Sequence, residues 1–168
     1  SATDPEGNAL TYSLSGTGSE LMTVSETGEV SLTGDLDFET NSTLVVTLEV
    51  SDGTNTTIEE ITINVINDDE PATIAATLSA SSFAENAAVG EAIASINATD
   101  PEGNSVTFTL SGTGSDNFSI DTSGNITLAS ALDYETATSY ELTVVADDGT
   151  YASTEVITIS VADVDEAP

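Results

Sequence analysis

The sequence repeats itself at an offset of about 96 residues, and that spacing constrains the fold more than any other feature. Ala2-Thr3-Asp4-Pro5-Glu6-Gly7-Asn8 returns as Ala98-Thr99-Asp100-Pro101-Glu102-Gly103-Asn104. Leu14 to Ser19 returns as Leu110 to Ser115, and Leu36-Asp37-Phe38-Glu39-Thr40 as Leu132-Asp133-Tyr134-Glu135-Thr136. Asp52-Gly53-Thr54 and Ile61-Thr62-Ile63 each have a second copy at the same offset. A period of that length is a whole domain rather than the short unit of a solenoid.

Within each copy the apolar residues alternate. Leu44, Val46, Leu48 and Val50 share one face of an extended chain, as do Tyr140, Leu142, Val144 and Ala146. Ile58 to Val65 and Glu155 to Val161 read as further strands, with turn signals at Glu26-Thr27-Gly28, Ser51-Asp52-Gly53 and Ser123-Gly124-Asn125. Several short strands at this spacing predict an all-β fold: two tandem immunoglobulin-like, Greek-key β-sandwich modules. Glu85 to Ala94 is the best helical stretch, and Gly90 interrupts it. The expected modules are 1–70 and 71–168. The second holds residues 73–97, room for two opening strands that the first lacks. The chain therefore reads as a window on a longer protein, with those strands supplied upstream or by another copy. Leu14, Leu32, Val46 and Leu48 are expected to lack partners on one side.

Charge narrows the chemistry. The chain has thirty Asp and Glu residues and no Lys, Arg or His. No side chain can neutralise a carboxylate, and the acids cluster: Asp4-Pro5-Glu6, Asp35-Leu36-Asp37, Asn67-Asp68-Asp69-Glu70, Asp147-Asp148, Asp163-Val164-Asp165-Glu166. Clusters of that kind call for a hard cation with oxygen ligands, and outside cells that is usually calcium. Without basic residues, binding to nucleic acid or directly to an anionic membrane is not expected. Without Cys, no disulfide or thiolate chemistry is available. Without His or Lys, triad and Schiff-base mechanisms are excluded, and no enzyme is expected. A glycosidase would need a carboxyl pair in an aromatic cleft, whereas these pairs repeat at domain ends.

The motifs match a family. The chain resembles tandem cadherin repeats, found in large bacterial surface adhesins and in animal adhesion proteins. Five motifs carry the resemblance, in cadherin order. They are Glu85-Asn86, then Asp100, Glu102 and Asn104, then Asp133 and Glu135, then Asp148-Gly149, and last the linker of Asp163, Asp165 and Pro168. The resemblance implies Ca²⁺ bound between successive modules. At the complete junction it implies Asp37, Glu39, Asn67, Asp68 and Asp69 from the first module, with Asp100, Glu102, Asn104 and Asp148 from the second. It implies two half-sites besides: Asp4, Glu6, Asn8 and Asp52, and Glu85, Asp133, Glu135, Asp163 and Asp165. Asp69 and Glu70 read equally well as surface, Asp147 reads as surface, and Asp35 and Asp121 read as solvated turns.

Three features depart from the animal pattern. The cluster is spelled Asp-Pro-Glu rather than Asp-x-Asp, Ile66 stands where an aspartate-type ligand belongs, and no Trp is present for strand-swap adhesion. The Asp-Pro-Glu-Gly-Asn form is more typical of bacterial cadherin-like repeats, which the resemblance implies as the setting. The expectation is a calcium-stiffened, rod-forming repeat of a secreted or cell-surface adhesin, partnered by neighbouring repeats or other copies. Two alternatives stand beside it. One is a calcium-dependent module for cell-surface polysaccharide, which needs an exposed aromatic platform. The other is a filament subunit polymerising by strand complementation. The bland reading of each acidic cluster is a solvated turn.

Overall fold

The computed structural model describes residues 2–165, so Glu166 and Pro168 of the last linker motif lie outside the described residues. The chain divides into two compact units, Ser1–Asp68 and Asp69–Pro168. That partition places Asp69 and Glu70 with the second unit.

In the first unit, β1 (Thr11–Gly16), β4 (Thr43–Ser51) and β5 (Thr56–Asn64) form one antiparallel sheet in the order β1-β4-β5. Strands β2 (Met22–Val24) and β3 (Val30–Leu32) form a separate two-stranded ladder. Period-2 alternation sets which face is buried, so Leu44 and Val46 turn inward with Met22.

The second unit begins with β6 (Thr73–Leu78), β7 (Phe83–Ala84) and β8 (Ala92–Thr99). It continues with β9 (Thr107–Gly112), β10 (Phe118–Ile120), β11 (Asn125–Leu128), β12 (Ser139–Asp147) and β13 (Ala152–Ala162). These make two four-stranded sheets, β10-β11-β8-β6 and β7-β13-β12-β9, the two layers of a β-sandwich. The opening stretch is three strands rather than the two expected. Strand β6 pairs antiparallel with β8 in one sheet, whereas β7 pairs parallel with β13 in the other. A chain that crosses between layers must leave one ladder before joining the next, and Ser79 to Ser82 make that crossing. The stretch Glu85 to Ala94 is turn followed by strand, and no α-helix occurs among the described residues.

The second core is continuous across the sandwich: Phe83, Ile93, Ile96, Phe118, Ile126, Leu128, Tyr140, Leu142, Val144 and Ile159 are all buried. Phe118 and Tyr140 meet edge to face, with ring centres 5.5 Å apart and planes at 73°. The first core is smaller. Val46 is fully buried in spite of the expectation, but Leu32 is 52% exposed where its repeat partner Leu128 is 1%. Leu36 is 39% exposed where Leu132 is 5%.

The repeated Leu-Ser-Gly-Thr-Gly segment has a steric origin. Gly112 has φ +108°, and a Cβ there would strike the carbonyl oxygen of Glu141 on the neighbouring strand. Gly16 is its counterpart, with φ +94° against Val45 O. Gly112→Ala is therefore expected to destabilise the second unit by about 1–3 kcal/mol from backbone conformation alone. Denaturant unfolding of the variant, followed by hydrogen exchange in residues 107–162, measures this. An unchanged midpoint would contradict the geometry.

Candidate metal centre

Both Asp-Pro-Glu-Gly-Asn segments fold into the same loop. Proline sets the turn, and Gly7 and Gly103 take positive φ values of 79° and 78°. Their N–H groups donate to Asp4 O at 3.2 Å and Asp100 O at 3.1 Å. The aspartate then reaches forward. Asn8 N–H donates to Asp4 Oδ1 at 2.8 Å, and Asn104 N–H to Asp100 Oδ1 at 2.6 Å. One carboxylate oxygen is committed to holding the loop, which leaves the other for a ligand.

In the second unit this geometry is enclosed. Asp100 is only 8% exposed, and its Oδ2 accepts no hydrogen bond. Asn104 Nδ2 donates to Asp69 Oδ1 at 2.9 Å, while Asp69 Oδ2 is buried without a partner. Asp148 Oδ1 accepts N–H bonds from Thr150 at 2.8 Å and Tyr151 at 2.7 Å, and its Oδ2 is likewise buried and unpartnered. Glu102 Oε2 accepts the Glu70 N–H at 3.2 Å, and carboxylate oxygens of these two residues come within 4.8 Å of each other. Glu70 is thus a candidate ligand that the sequence left undecided. Its place in the acidic run Asn67-Asp68-Asp69-Glu70 is the signal that the sequence carries. An enclosed carboxylate oxygen with no donor is costly. Three of them in a chain without basic side chains fit a cation with oxygen ligands.

A second group lies at the other end of the same unit. Glu85 is 5% exposed, and its two oxygens accept N–H bonds from Tyr134 at 2.7 Å and Val164 at 2.8 Å. Oxygens of Glu85, Asp133 and Glu135 lie within 4.8 Å of one another. Asp163 and Asp165 are exposed and stand outside this group.

In the first unit, Asp37 repeats the Asp133 turn bond for bond. Thr40 N–H and Oγ1–H donate at 2.9 and 2.8 Å, and Thr136 does the same for Asp133. Asp52 differs from Asp148. It accepts from Thr54 N–H, Asn55 N–H and Asn55 Nδ2, so both its oxygens are engaged by its own loop. Asp37, Glu39, Glu6, Asn8, Asn67 and Asp68 are exposed, and so is Ile66. Asp121 is exposed as expected, yet it is more than a solvated residue. Ser123 N–H, Asn125 N–H and Asn125 Nδ2 all donate to it at 2.9 Å, tying the β10–β11 turn together. Tyr151 is the one exposed aromatic among the described residues, at 44% exposure.

Hydrogen bonds lower the pKa of five aspartates. The Thr40 N–H acts first on Asp37, the Asn55 N–H on Asp52 and the Tyr151 N–H on Asp148. The Asn125 side chain acts first on Asp121 and the Thr136 hydroxyl on Asp133. Folded values below unfolded ones mean that these bonds add stability above the ordinary value of 3.8, which is lost as pH falls through the folded values. In chelator, carboxyl-carbon NMR titrations of the five are expected to have midpoints below 3.8. A midpoint for Asp133 at or above it would contradict the Thr136 bonds.

Residues 79–165, just over half of the chain, match the family described as Cadherin domain. Cadherin-related family member 1 of Gallus gallus is 32% identical over 186 residues, covering 99% of this chain and 21% of its own length. The chain thus spans about a fifth of the length of Cadherin-related family member 1, and 5% of human Cadherin-23. The crystal structure of human Protocadherin-24 EC1-2, form II, superposes with a TM-score of 0.61 at 27% identity, over 96% of this chain and 85% of that one. The Protocadherin gammaB7 EC3-6 cis-dimer structure gives 0.57 at 27% identity, over 93% and 40%. No helix among the described residues is long and apolar enough to cross a membrane. The match, the relatives and the sandwich agree: the chain belongs to the cadherin-domain family, an extracellular, adhesion-type repeat.

Proposed function

We propose that this chain is a calcium-stiffened repeat segment of an extracellular adhesin or surface filament, with a structural or adhesive rather than a catalytic role. The observation that carries the reading is the set of enclosed, unpartnered oxygens on Asp69, Asp100 and Asp148 in a chain with no basic side chain. Calcium supplies positive charge and takes six to eight oxygen ligands. In the second unit the proposed ligands are Asp69, Asp100, Glu102, the Asn104 carbonyl and Asp148 at one end, with Glu70 added from the structure. At the other end they are Glu85, Asp133 and Glu135, with Asp163 and Asp165. In the first unit they are Asp37, Glu39, Asn67 and Asp68, and separately Asp4, Glu6, Asn8 and Asp52.

The chain's own part in this is positional. Turns hold one oxygen of each aspartate with backbone N–H groups and leave the other for the ion, so little ordering remains to be done on binding. Ligands drawn from successive repeats would restrain the linker, and binding energy would add to the stability of the folded state. The partners proposed are neighbouring repeats and other copies; the cis dimer of Protocadherin gammaB7 is a precedent in a relative. The bacterial setting rests on the Asp-Pro-Glu-Gly-Asn spelling alone, since the relatives above are animal proteins.

Calcium is expected to raise the melting temperature of the chain, and chelator to reverse the rise; an unchanged temperature in scanning calorimetry would refute the reading. Two substitutions separate ligand from staple. Asp100→Ala is expected to weaken calcium binding by at least about tenfold. Asp121→Ala is expected to leave calcium affinity intact while lowering the melting temperature, from the lost turn bonds. Isothermal titration of both decides it, and equal loss of affinity would overturn the ligand assignment.

A further inference from the structure

An Asp-Gly-Thr turn occurs once in each unit, on closely matched backbones. Asp52 N–H donates to Asn55 O at 3.3 Å, and Asp148 N–H to Tyr151 O at 3.1 Å. Gly53 and Gly149 both take positive φ, 89° and 104°. The residue before each aspartate accepts the glycine N–H, Ser51 Oγ at 3.1 Å in one turn and Asp147 Oδ1 at 2.8 Å in the other. Each aspartate then gathers two main-chain donors on Oδ1. Thr54 and Asn55 N–H stand at 2.7 and 2.6 Å from Asp52, and Thr150 and Tyr151 N–H at 2.8 and 2.7 Å from Asp148.

The turns part at Oδ2. In the first unit the Asn55 side chain bends back, and its Nδ2 donates to Asp52 Oδ2 at 3.3 Å. In the second, Tyr151 holds that place, gives Asp148 its main-chain N–H, and leaves its side chain exposed. Asp148 Oδ2 is enclosed and accepts no bond. The Ala72 N–H also lowers the Asp148 pKa, so one donor outside the turn faces this carboxylate, yet Oδ2 stays without a partner. Two further turns follow the same rule. Asn125 Nδ2 donates to Asp121 Oδ2 at 2.9 Å, and Asp121 belongs to neither acidic group. Asn104 directs its amide to Asp69 Oδ1 instead, and there Asp100 Oδ2 is left open.

We infer that the position three residues after Asp148 determines how strongly this turn holds calcium, and that Tyr151 serves by withholding a side-chain donor. A cation and an N–H group compete for the same carboxylate oxygen, because each is the positive partner of its lone pairs. Main-chain donors on Oδ1 do not compete. They orient the carboxylate and leave Oδ2 for the ion. An amide three residues on closes Oδ2, and calcium then has to displace it. Tyr151 acts through Asp148, so it is a positioning residue and not a ligand. The inference rests on the calcium reading of Asp69, Asp100 and Asp148, and it adds a residue outside that ligand set.

The test is a calcium titration of the whole chain, followed by amide NMR at residues 147–151, for the wild type and for substitutions of Tyr151. The side chain is exposed and every substitution keeps the main-chain N–H, so the fold is retained. Tyr151→Phe and Tyr151→Ala are expected to keep the wild-type midpoint within about twofold. Tyr151→Asn is expected to raise it about fivefold, the scale of one hydrogen bond that the ion must displace. In chelator the introduced amide protons are expected to exchange slowly, and calcium to release them. A loss in Tyr151→Ala as large as in Tyr151→Asn assigns the effect to the ring and overturns the inference. An unchanged midpoint in Tyr151→Asn, with a wild type that responds to calcium, overturns the inference alone. A wild-type chain that shows no calcium shift at these residues overturns the calcium reading, and the inference with it.

Discussion

Hydrogen bonding of carboxylates by their own turns is the interaction on which the rest of this structure depends. A chain with thirty acids and no basic side chain has no ion pairs to spend on them. What it has instead are backbone N–H groups, Thr hydroxyls and Asn amides, delivered by turns in which the aspartate comes first. Asp37, Asp52, Asp121, Asp133 and Asp148 each accept two or three such bonds. Charge-assisted bonds of this kind are stronger than neutral ones. They shape the loops that connect the strands, so the same residues that burden the fold with charge also terminate its elements.

That dual use explains why the candidate ligands sit so close to structural residues. A carboxylate has two oxygens. In Asp100 and Asp148 one is spent on the loop, and the other is enclosed with no donor. In Asp52 the Asn55 amide takes the second oxygen, because Asn55 stands where the second repeat has Tyr151. One side chain three residues away thus decides whether the second oxygen is held by its own turn or left without a donor. Asp121 shows the limit of the staple, with an Asn on its second oxygen and no other acid grouped with it.

The two units also show how far a sandwich depends on its opening strands. Period-2 alternation turns Leu44 and Val46 inward in one unit as it turns Tyr140 and Leu142 inward in the other. Hydrophobic burial needs a second layer, however. Leu128 and Leu132 are buried in the second unit, where β8 and β7 are present; among the described residues of the first unit no such strands occur, and Leu32 and Leu36 are exposed. Sequence identity at the repeat positions does not by itself bring equal burial.

The sequence alone determined the strand faces, the repeat and its loops, because alternation and Asp-Pro-Glu-Gly-Asn turns are local and read within a few residues. It also singled out the acidic residues, since a carboxylate cluster without a cation is visible in composition. Only the tertiary structure decided which carboxylate oxygens are enclosed, because Asp69 and Asn104, or Glu85 and Val164, meet across many intervening residues. It decided that the opening stretch divides between two sheets, since β7 finds its parallel partner in β13 and not in its neighbour in sequence. It brought oxygens of Glu85, Asp133 and Glu135 within 4.8 Å of one another, although Glu85 stands far from the other two in the sequence. Long-range approach is the physical reason in each case: local pattern selects the conformation of a strand or a turn, and packing selects what that element meets.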